Sequence, residues 1–186
     1  MSNKKYFYLH RERDEKFFKT GAKIISPTRT KQPSCTYTET EFYGSRALNF
    51  IKTESIDLKY LTGLLNSKLS NFWLKLKGKM TGDLLQIDKS QLLSIPIIKP
   101  SKEIQDKVAT LVSSIIENKQ KQIDYNNLLK KAKAENNFER EIQLEKELEQ
   151  INANIINAES NINAIIYKLY ELKPKEIATI ENNINI

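Results

Sequence analysis

Residues 57–99 read DLKYLTGLLNSKLSNFWLKLKGKMTGDLLQIDKSQLLSIPIIK, and they carry the clearest structural pattern in the chain. Apolar residues recur every three or four positions, which is the spacing of a helix with one apolar face. Asp57 suits the N-cap of that helix and Gly78 its C-cap. The pattern therefore predicts one amphipathic helix over residues 57–78. Its apolar positions are Leu58, Leu61, Leu65, Leu69, Phe72 and Leu76.

Short strands are predicted on both sides of this helix, from runs of apolar, aromatic and Thr residues. Asp88 is predicted to cap a short turn before the last of them, and Pro96 would place that last strand at a sheet edge. The Pro-, Ser- and Thr-rich segment at residues 26–34 is predicted to be a loop. The predicted strands span residues 22–26, 37–43, 47–52, 84–87 and 95–98.

The sequence becomes helical beyond residue 100, with Ser101 as the expected N-cap of a long helix. From Leu144 to Leu172 apolar residues are spaced alternately by four and three, which is a heptad seam typical of a coiled coil. Asn136 and Asn137 are the expected turn, and Pro174 is expected to end the second helix. A short connection favours antiparallel neighbours, so these helices should form a hairpin.

The predicted fold class is therefore α+β. A small mixed α/β domain is expected over residues 1–100. A long antiparallel helical hairpin with a short C-terminal helix is expected over residues 101–186.

Charge is distributed unevenly between these two parts. Residues 1–100 hold 18 Lys/Arg against 9 Asp/Glu, a net charge of +9, whereas residues 101–186 hold 12 against 14, a net charge of −2. A basic unit beside a mildly acidic one favours a polyanionic partner for the basic unit. No apolar run reaches the roughly 20 residues of a membrane span, the N-terminal residues are too polar for a signal peptide, and one cysteine suits a reducing compartment. These observations favour a cytoplasmic protein.

Three blocks of sequence, taken in order, resemble a known family. They are RERDEKFFKTGAKIISPTRTKQPS at residues 11–34 with the aromatic pair Phe42-Tyr43, the LLNSKL and IPI elements of residues 57–99, and INAIIYKLYELKPKEIATIE at residues 162–181. Together they resemble the target recognition (specificity) domain and C-terminal tail of type IIG and TaqI-type adenine-specific DNA methyltransferases, which are enzymes of restriction-modification systems. Asn163 stands where that tail usually has Asp. The resemblance implies a module that selects a DNA sequence while another part of the enzyme does the chemistry.

The chain lacks the catalytic motifs of that family. Methyl transfer there uses an Asn-Pro-Pro-Tyr or Asp-Pro-Pro-Tyr motif, but no two of the five prolines are adjacent. The five glycines form no Gly-x-Gly-x-x-Gly turn. His10 is the only histidine, Cys35 is predicted to be an inert strand residue, and the Glu171–Lys173 pair is predicted to be a helix-surface ion pair. The chain alone is expected to be no enzyme and to hold no cofactor or metal, with S-adenosylmethionine bound only by the missing catalytic domain or partner.

Sequence-specific DNA binding needs cations on phosphates and forked or amide side chains on base edges. Arg29, Arg46 and Gln86 are predicted to reach bases, on a reading surface made of residues 75–86 and the loop that carries Arg29. Recognition residues in this family vary with the DNA sequence that is read, so none is carried over by position. The full set of predicted DNA contacts is Arg29, Lys31, Arg46, Lys75, Lys77, Lys79, Gln86 and Lys89.

Two alternatives stay open at this point. One is a half-length specificity subunit of a type I system, which dimerises through its long helices to read a two-part site. The other is a coiled-coil adaptor that does not bind DNA. The expected partners are double-stranded DNA, a methyltransferase or nuclease domain or subunit, and a second copy of the chain held through residues 101–172.

Overall fold

The computed structural model of the chain describes residues 15–184, and His10 lies outside them. The helices are α1 (Glu15–Lys19), α2 (Leu58–Asn66), α3 (Lys68–Lys77), α4 (Lys89–Leu93), α5 (Lys102–Ala134), α6 (Phe138–Leu169) and α7 (Pro174–Ile184). The strands are β1 (Lys23–Pro27), β2 (Arg29–Thr30), β3 (Thr36–Thr38), β4 (Leu48–Ile51), β5 (Lys79–Thr81) and β6 (Leu84–Gln86). Small antiparallel sheets followed by two long packed helices confirm the predicted α+β class.

Six strands form two small antiparallel sheets within the described residues. One sheet has the order β3-β1-β4 and the other the order β2-β6-β5. The central β1 is buried from Lys23 to Ser26, and the Lys23 ammonium group donates to the Thr40 carbonyl at 2.7 Å. The strands predicted at residues 22–26, 47–52 and 84–87 are confirmed, whereas the one predicted at residues 37–43 is reduced to β3.

Residues 95–98 do not form the predicted strand. The Tyr60 hydroxyl donates to the carbonyl of Ile98 at 2.8 Å. The Tyr170 hydroxyl accepts from the Ile98 N–H at 3.3 Å and donates to the carbonyl of Pro96. Pro96 has no N–H of its own to give to a sheet. The segment is extended because tyrosine side chains, and not a neighbouring strand, satisfy its backbone.

The helix predicted over residues 57–78 is broken at Ser67 into α2 and α3. The Asp57 side chain accepts from Tyr60 N and Gly78 closes α3, as predicted. Ser67 has an extended backbone, and its hydroxyl donates to the Leu64 carbonyl at 2.7 Å and accepts from Ser70 N at 3.3 Å. This serine therefore ends one helix and begins the next.

The antiparallel hairpin of α5 and α6 is confirmed. Asn136 adopts a left-handed φ of 54°, and the Asn137 side chain caps α6 by accepting from Arg140 N at 3.1 Å. Antiparallel packing is also seen far from the turn, where the side chains of Gln122 and Asn152 are hydrogen-bonded at 2.5 Å.

The heptad seam of α6 holds over most of its predicted length. Its positions are buried from Leu144 to Ile162, but the next fully buried residue is Ile166 and not Ile165. The α6 helix ends at Leu169, so Leu172 lies beyond it. Pro174 opens α7 instead of ending α6, because the chain has already turned at Glu171 with a φ of 53°.

One hydrophobic core joins the sheets to the hairpin. Tyr60 and Leu64 of α2, Val108 of α5 and Ile166 of α6 are completely buried in the same cluster, together with Leu85 of β6 at 1% exposure. Packing of α2 against α5 thus positions the second sheet relative to the long helices.

Candidate nucleic-acid interface

Strand β6 and the two residues after it have an inner and an outer face. Leu85 and Ile87 are each 1% exposed and belong to the core, whereas Gln86 and Asp88 are partly exposed. Successive side chains of an extended chain point to opposite sides. The inner residues therefore hold the segment, and the outer residues face solvent.

Pairing of three strands places Arg29, Gln86 and Lys79 in one row. Arg29 of β2 and Lys79 of β5 are both direct register partners of Gln86. Directly opposed residues share one face of an antiparallel sheet, and neighbouring strands lie about 4.8 Å apart, so the row spans about 10 Å. Arg29 and Lys79 are exposed. We call this set of three side chains the outer row.

The outer row corrects two predictions about local structure. Arg29 was expected on a loop, but it begins β2. The expected basic loop after the long helix is the end of α3 followed by a β5–β6 hairpin. Gly82 has a φ of +64° at the first of the two residues that connect these strands, which is the position where a type II′ turn requires glycine.

The amide of Gln86 is held by Asp88. Gln86 Nε2 donates to Asp88 Oδ2 at 2.7 Å. Asp88 occupies the N-cap position of α4, as predicted, but within the described chain its carboxylate makes no hydrogen bond to the backbone of that helix. The capping interaction expected from sequence is replaced by a contact with the outer row.

The backbone between these two residues is fixed at Ile87. Its N–H donates to the Thr28 carbonyl at 2.8 Å, and its carbonyl accepts from Asn49 Nδ2 at 2.9 Å. Thr28 N in turn donates to the Ala47 carbonyl at 2.9 Å. These bonds bring the exposed turn that carries Arg46 to the end of β2, next to the outer row.

The remaining predicted contacts are arranged around the row in different ways. Lys31 follows β2 and forms an ion pair with Asp83 at 3.2 Å, with both side chains largely exposed. Lys89 is exposed at the first position of α4. Such exposed pairs stabilise a fold by less than about 1 kcal/mol, so the Lys31 ammonium group remains available to a stronger anion.

Lys75 and Lys77 belong to α3 and not to the sheet. Lys77 Nζ lies 5.6 Å from the centre of the Trp73 ring. Lys75 Nζ donates to the Asn183 carbonyl at 3.3 Å and so contacts α7. The structure therefore separates Lys75 from Lys79, although the sequence places them four residues apart.

No catalytic or metal centre is evident among residues 15–184. These residues contain no cluster of three or more His, Cys, Asp or Glu side chains that could hold a metal ion. Burial raises the pKa of the Cys35 thiol to about 11, despite an opposing hydrogen bond with Ser26, so it is not an activated nucleophile. Glu171 and Lys173 lie in the turn between α6 and α7 and not on a helix surface.

Two groups that shape the site were missed in the sequence. Asn49 and Thr28 hold Ile87 through one side chain and one carbonyl, and nothing in their local sequence indicates this. Asp88 was noticed only as a cap. The alternation from Leu85 to Asp88 was the available pattern, because it places Gln86 and Asp88 on one side.

Comparison with known proteins decides the family. The family model described as the TaqI-like C-terminal specificity domain matches residues 2–97. The chain belongs to this family. Residues 2–97 therefore include the whole outer row, and the resemblance seen in the sequence is confirmed.

Two curated proteins are similar to part of this specificity-domain chain. The Type II methyltransferase M.HincII of Haemophilus influenzae is 32% identical over 69 residues, which cover 34% of this chain and 14% of that protein. The Type II methyltransferase M.HindII of Haemophilus influenzae strain Rd is likewise 32% identical over 69 residues, covering 34% of this chain and 13% of that protein. The matched part is thus about a seventh of each methyltransferase.

Proposed function

We propose that this chain is the DNA-specificity module of a restriction-modification enzyme of the adenine-specific DNA methyltransferase class. The observation that carries the proposal is the outer row, in which an arginine, an amide and a lysine project side by side from a sheet of a TaqI-like specificity domain. The module corresponds to residues 1–100. Residues 101–186 act as a helical spacer that docks onto the catalytic domain or subunit.

The dimensions of the sheet suit the major groove of DNA. That groove is about 12 Å wide and admits a β-ribbon, and the outer row is about 10 Å across. Arg29 and Gln86 have the forked and amide groups that bind base edges. Lys79, Lys31 and Lys89 supply cations for phosphates on either side.

The partners of the module are double-stranded DNA and a methyltransferase or nuclease component. In this proposal S-adenosylmethionine binds that component, and this chain contributes sequence selection without catalysis. None of the helices in the described part of the chain is sufficiently long and apolar to cross a membrane.

The test is DNA binding by the full chain at several salt concentrations. We expect the double variant Arg29→Ala/Lys79→Ala to bind mixed duplex DNA more weakly and to lower the slope of log affinity against log salt by up to about two units, since each lost phosphate contact removes about 0.9. Lys121→Ala, on the exposed surface of α5, is the matched control. Equal slopes for the wild type and the double variant would remove the outer row from the interface, and no binding at low salt would favour the adaptor alternative.

A second candidate is the half-length type I specificity subunit, which would pair through residues 101–172. Exposed isoleucines on the hairpin favour it: Ile116 is 40% exposed, Ile123 is 55% exposed and Ile156 is 63% exposed. Sedimentation at high salt tests this candidate, because an apolar interface resists salt. A dimer that Ile123→Glu dissociates supports it, and a wild-type monomer at all concentrations refutes it.

A further inference from the structure

We propose that Asp88 is a positioning residue that fixes the amide of Gln86 in the orientation needed to read adenine. This inference rests on the proposed function and deepens it. It assigns a base to one position of the outer row, and it gives a role to a carboxylate that stands among cations.

The Asp88 carboxylate determines which way the amide faces. An ionised carboxylate only accepts hydrogen bonds, so the amide nitrogen of Gln86, and not its oxygen, must face Asp88 Oδ2 at 2.7 Å. An unrestrained glutamine amide can rotate by half a turn and exchange its donor with its acceptor. The contact removes that freedom before any DNA is bound.

The position of Asp88 is as well defined as its contact. Ile87 is buried, and both of its backbone polar groups are bonded, to Thr28 and to the Asn49 side chain. Gln86 and Asp88 thus leave a fixed point of the chain toward the same side. The carboxylate is partly exposed and is not used to cap α4, although it occupies the N-cap position.

The groups that remain on Gln86 match one base. With one N–H bound to Asp88, the amide retains its oxygen as an acceptor and its second N–H as a donor. In the major groove adenine offers an N6 donor beside an N7 acceptor, which is the complementary pair. Guanine offers two acceptors there, cytosine only a donor and thymine only an acceptor, so each satisfies the amide at most in part.

The experiment is selection of bound sequences from a library of random duplexes by the full-length wild type and four variants. The variants are Gln86→Ala, Asp88→Ala, Asp88→Asn and the control Ser90→Ala, which alters an exposed α4 hydroxyl outside the outer row. We expect the wild type to select a motif that contains an A·T pair whose preference falls about tenfold in Gln86→Ala. Asp88→Ala should weaken the preference at that same pair and leave the rest of the motif intact.

Asp88→Asn separates positioning from a structural role. Its amide oxygen still accepts from Gln86 Nε2, so it should recover part of the adenine preference that Asp88→Ala loses. Equal weakening by Asp88→Ala on all sequences, or a Gln86-dependent pair other than A·T, would overturn the inference. Failure of the wild type to select any sequence would instead overturn the proposed function.

Discussion

Gly63 shows how a single missing methyl group sets the packing of α2 against α5. A Cβ atom at this position would lie 2.7 Å from Val108 Cγ1 and 3.1 Å from Val112 Cγ2. Both valines are in the buried core, with little room to move. The close approach of the two helices therefore depends on glycine, even though glycine is a poor helix former.

Gly63→Ala is expected to destabilise the protein by about 1–2 kcal/mol. Overpacking costs about 1–3 kcal/mol, whereas the better helix propensity of alanine returns at most about 1 kcal/mol. Urea unfolding followed by circular dichroism measures the difference. In a Val108→Ala background the clash is relieved, so the same substitution should cost less, and strict additivity of the two changes would show that no clash exists.

Tyr60 carries a second residue-scale prediction. Its side chain is fully buried, burial raises its pKa, and its hydroxyl donates to the Ile98 carbonyl. Tyr60→Phe should lower the free energy of unfolding by about 1–2 kcal/mol, because it leaves a carbonyl with one partner fewer. Urea unfolding tests this prediction, with Tyr125→Phe on the hairpin as control. A loss no larger than in the control would mean that the hydrogen bond contributes nothing.

At the scale of elements, sequence pattern identified the long helices and the longer strands but missed what interrupts them. The break at Ser67 depends on Asn163, whose side-chain oxygen accepts from Lys68 N at 2.8 Å. It also depends on Asn66, whose amide bonds both the N–H and the carbonyl of Cys35 at 2.7 Å. These partners come from distant parts of the chain, so local periodicity does not contain them. A carboxylate at position 163 would accept the same bond, which fits the usual Asp of the family.

The heptad seam failed at its end for a geometric reason. A straight helix drifts by about 20° per heptad relative to a 3.5-residue repeat. Over the length of α6 this drift moves the buried position from Ile165 to Ile166. The spacing predicted the hairpin correctly and its last contact incorrectly.

The outer row was predictable by residue type and not by arrangement. Arg29 and Gln86 were named because their side chains suit base edges. Strands β2 and β5 are only two and three residues long, which is too short for a recognisable alternation. Their register, and so the contact between the row's members, comes from the tertiary structure.

Docking of α7 onto α3 should depend on pH. Glu181 forms an ion pair with Lys68 and accepts from the Tyr167 hydroxyl at 2.8 Å. Burial raises the pKa of Glu181, but the bonds from Lys68 and Tyr167 outweigh it and hold the pKa below its ordinary value of 4.5. Stabilisation by this carboxylate is therefore complete above about pH 4.5 and is lost as the pH falls through the lowered pKa.

Hydrogen exchange of the α7 amides measures this effect. Exchange corrected for its intrinsic rate should accelerate between pH 5 and pH 3 in the wild type. Glu181→Gln should exchange faster already at neutral pH and lose most of the pH dependence. Identical profiles for the two proteins would show that the ion pair does not hold α7.

For the whole molecule, the shared core predicts one unfolding transition. Val108 and Ile166 of the hairpin are buried against Tyr60 and Leu64 of α2, so neither part keeps its core when the other unfolds. Calorimetry should give one peak whose calorimetric and van't Hoff enthalpies agree. Two resolved peaks would instead show that residues 1–100 and 101–186 are independent domains, a division that remains a prediction.

The two-faced segment from Leu85 to Asp88 has a consequence for how such proteins diversify. Its inner residues secure the fold, while Gln86 and its neighbours in the outer row contribute little to the core. Substitutions on that outer side therefore carry a small stability cost, since exposed positions away from the core usually change stability by less than about 0.5 kcal/mol. A lineage built on this scaffold can exchange its target site by a few surface replacements without first acquiring a compensating mutation.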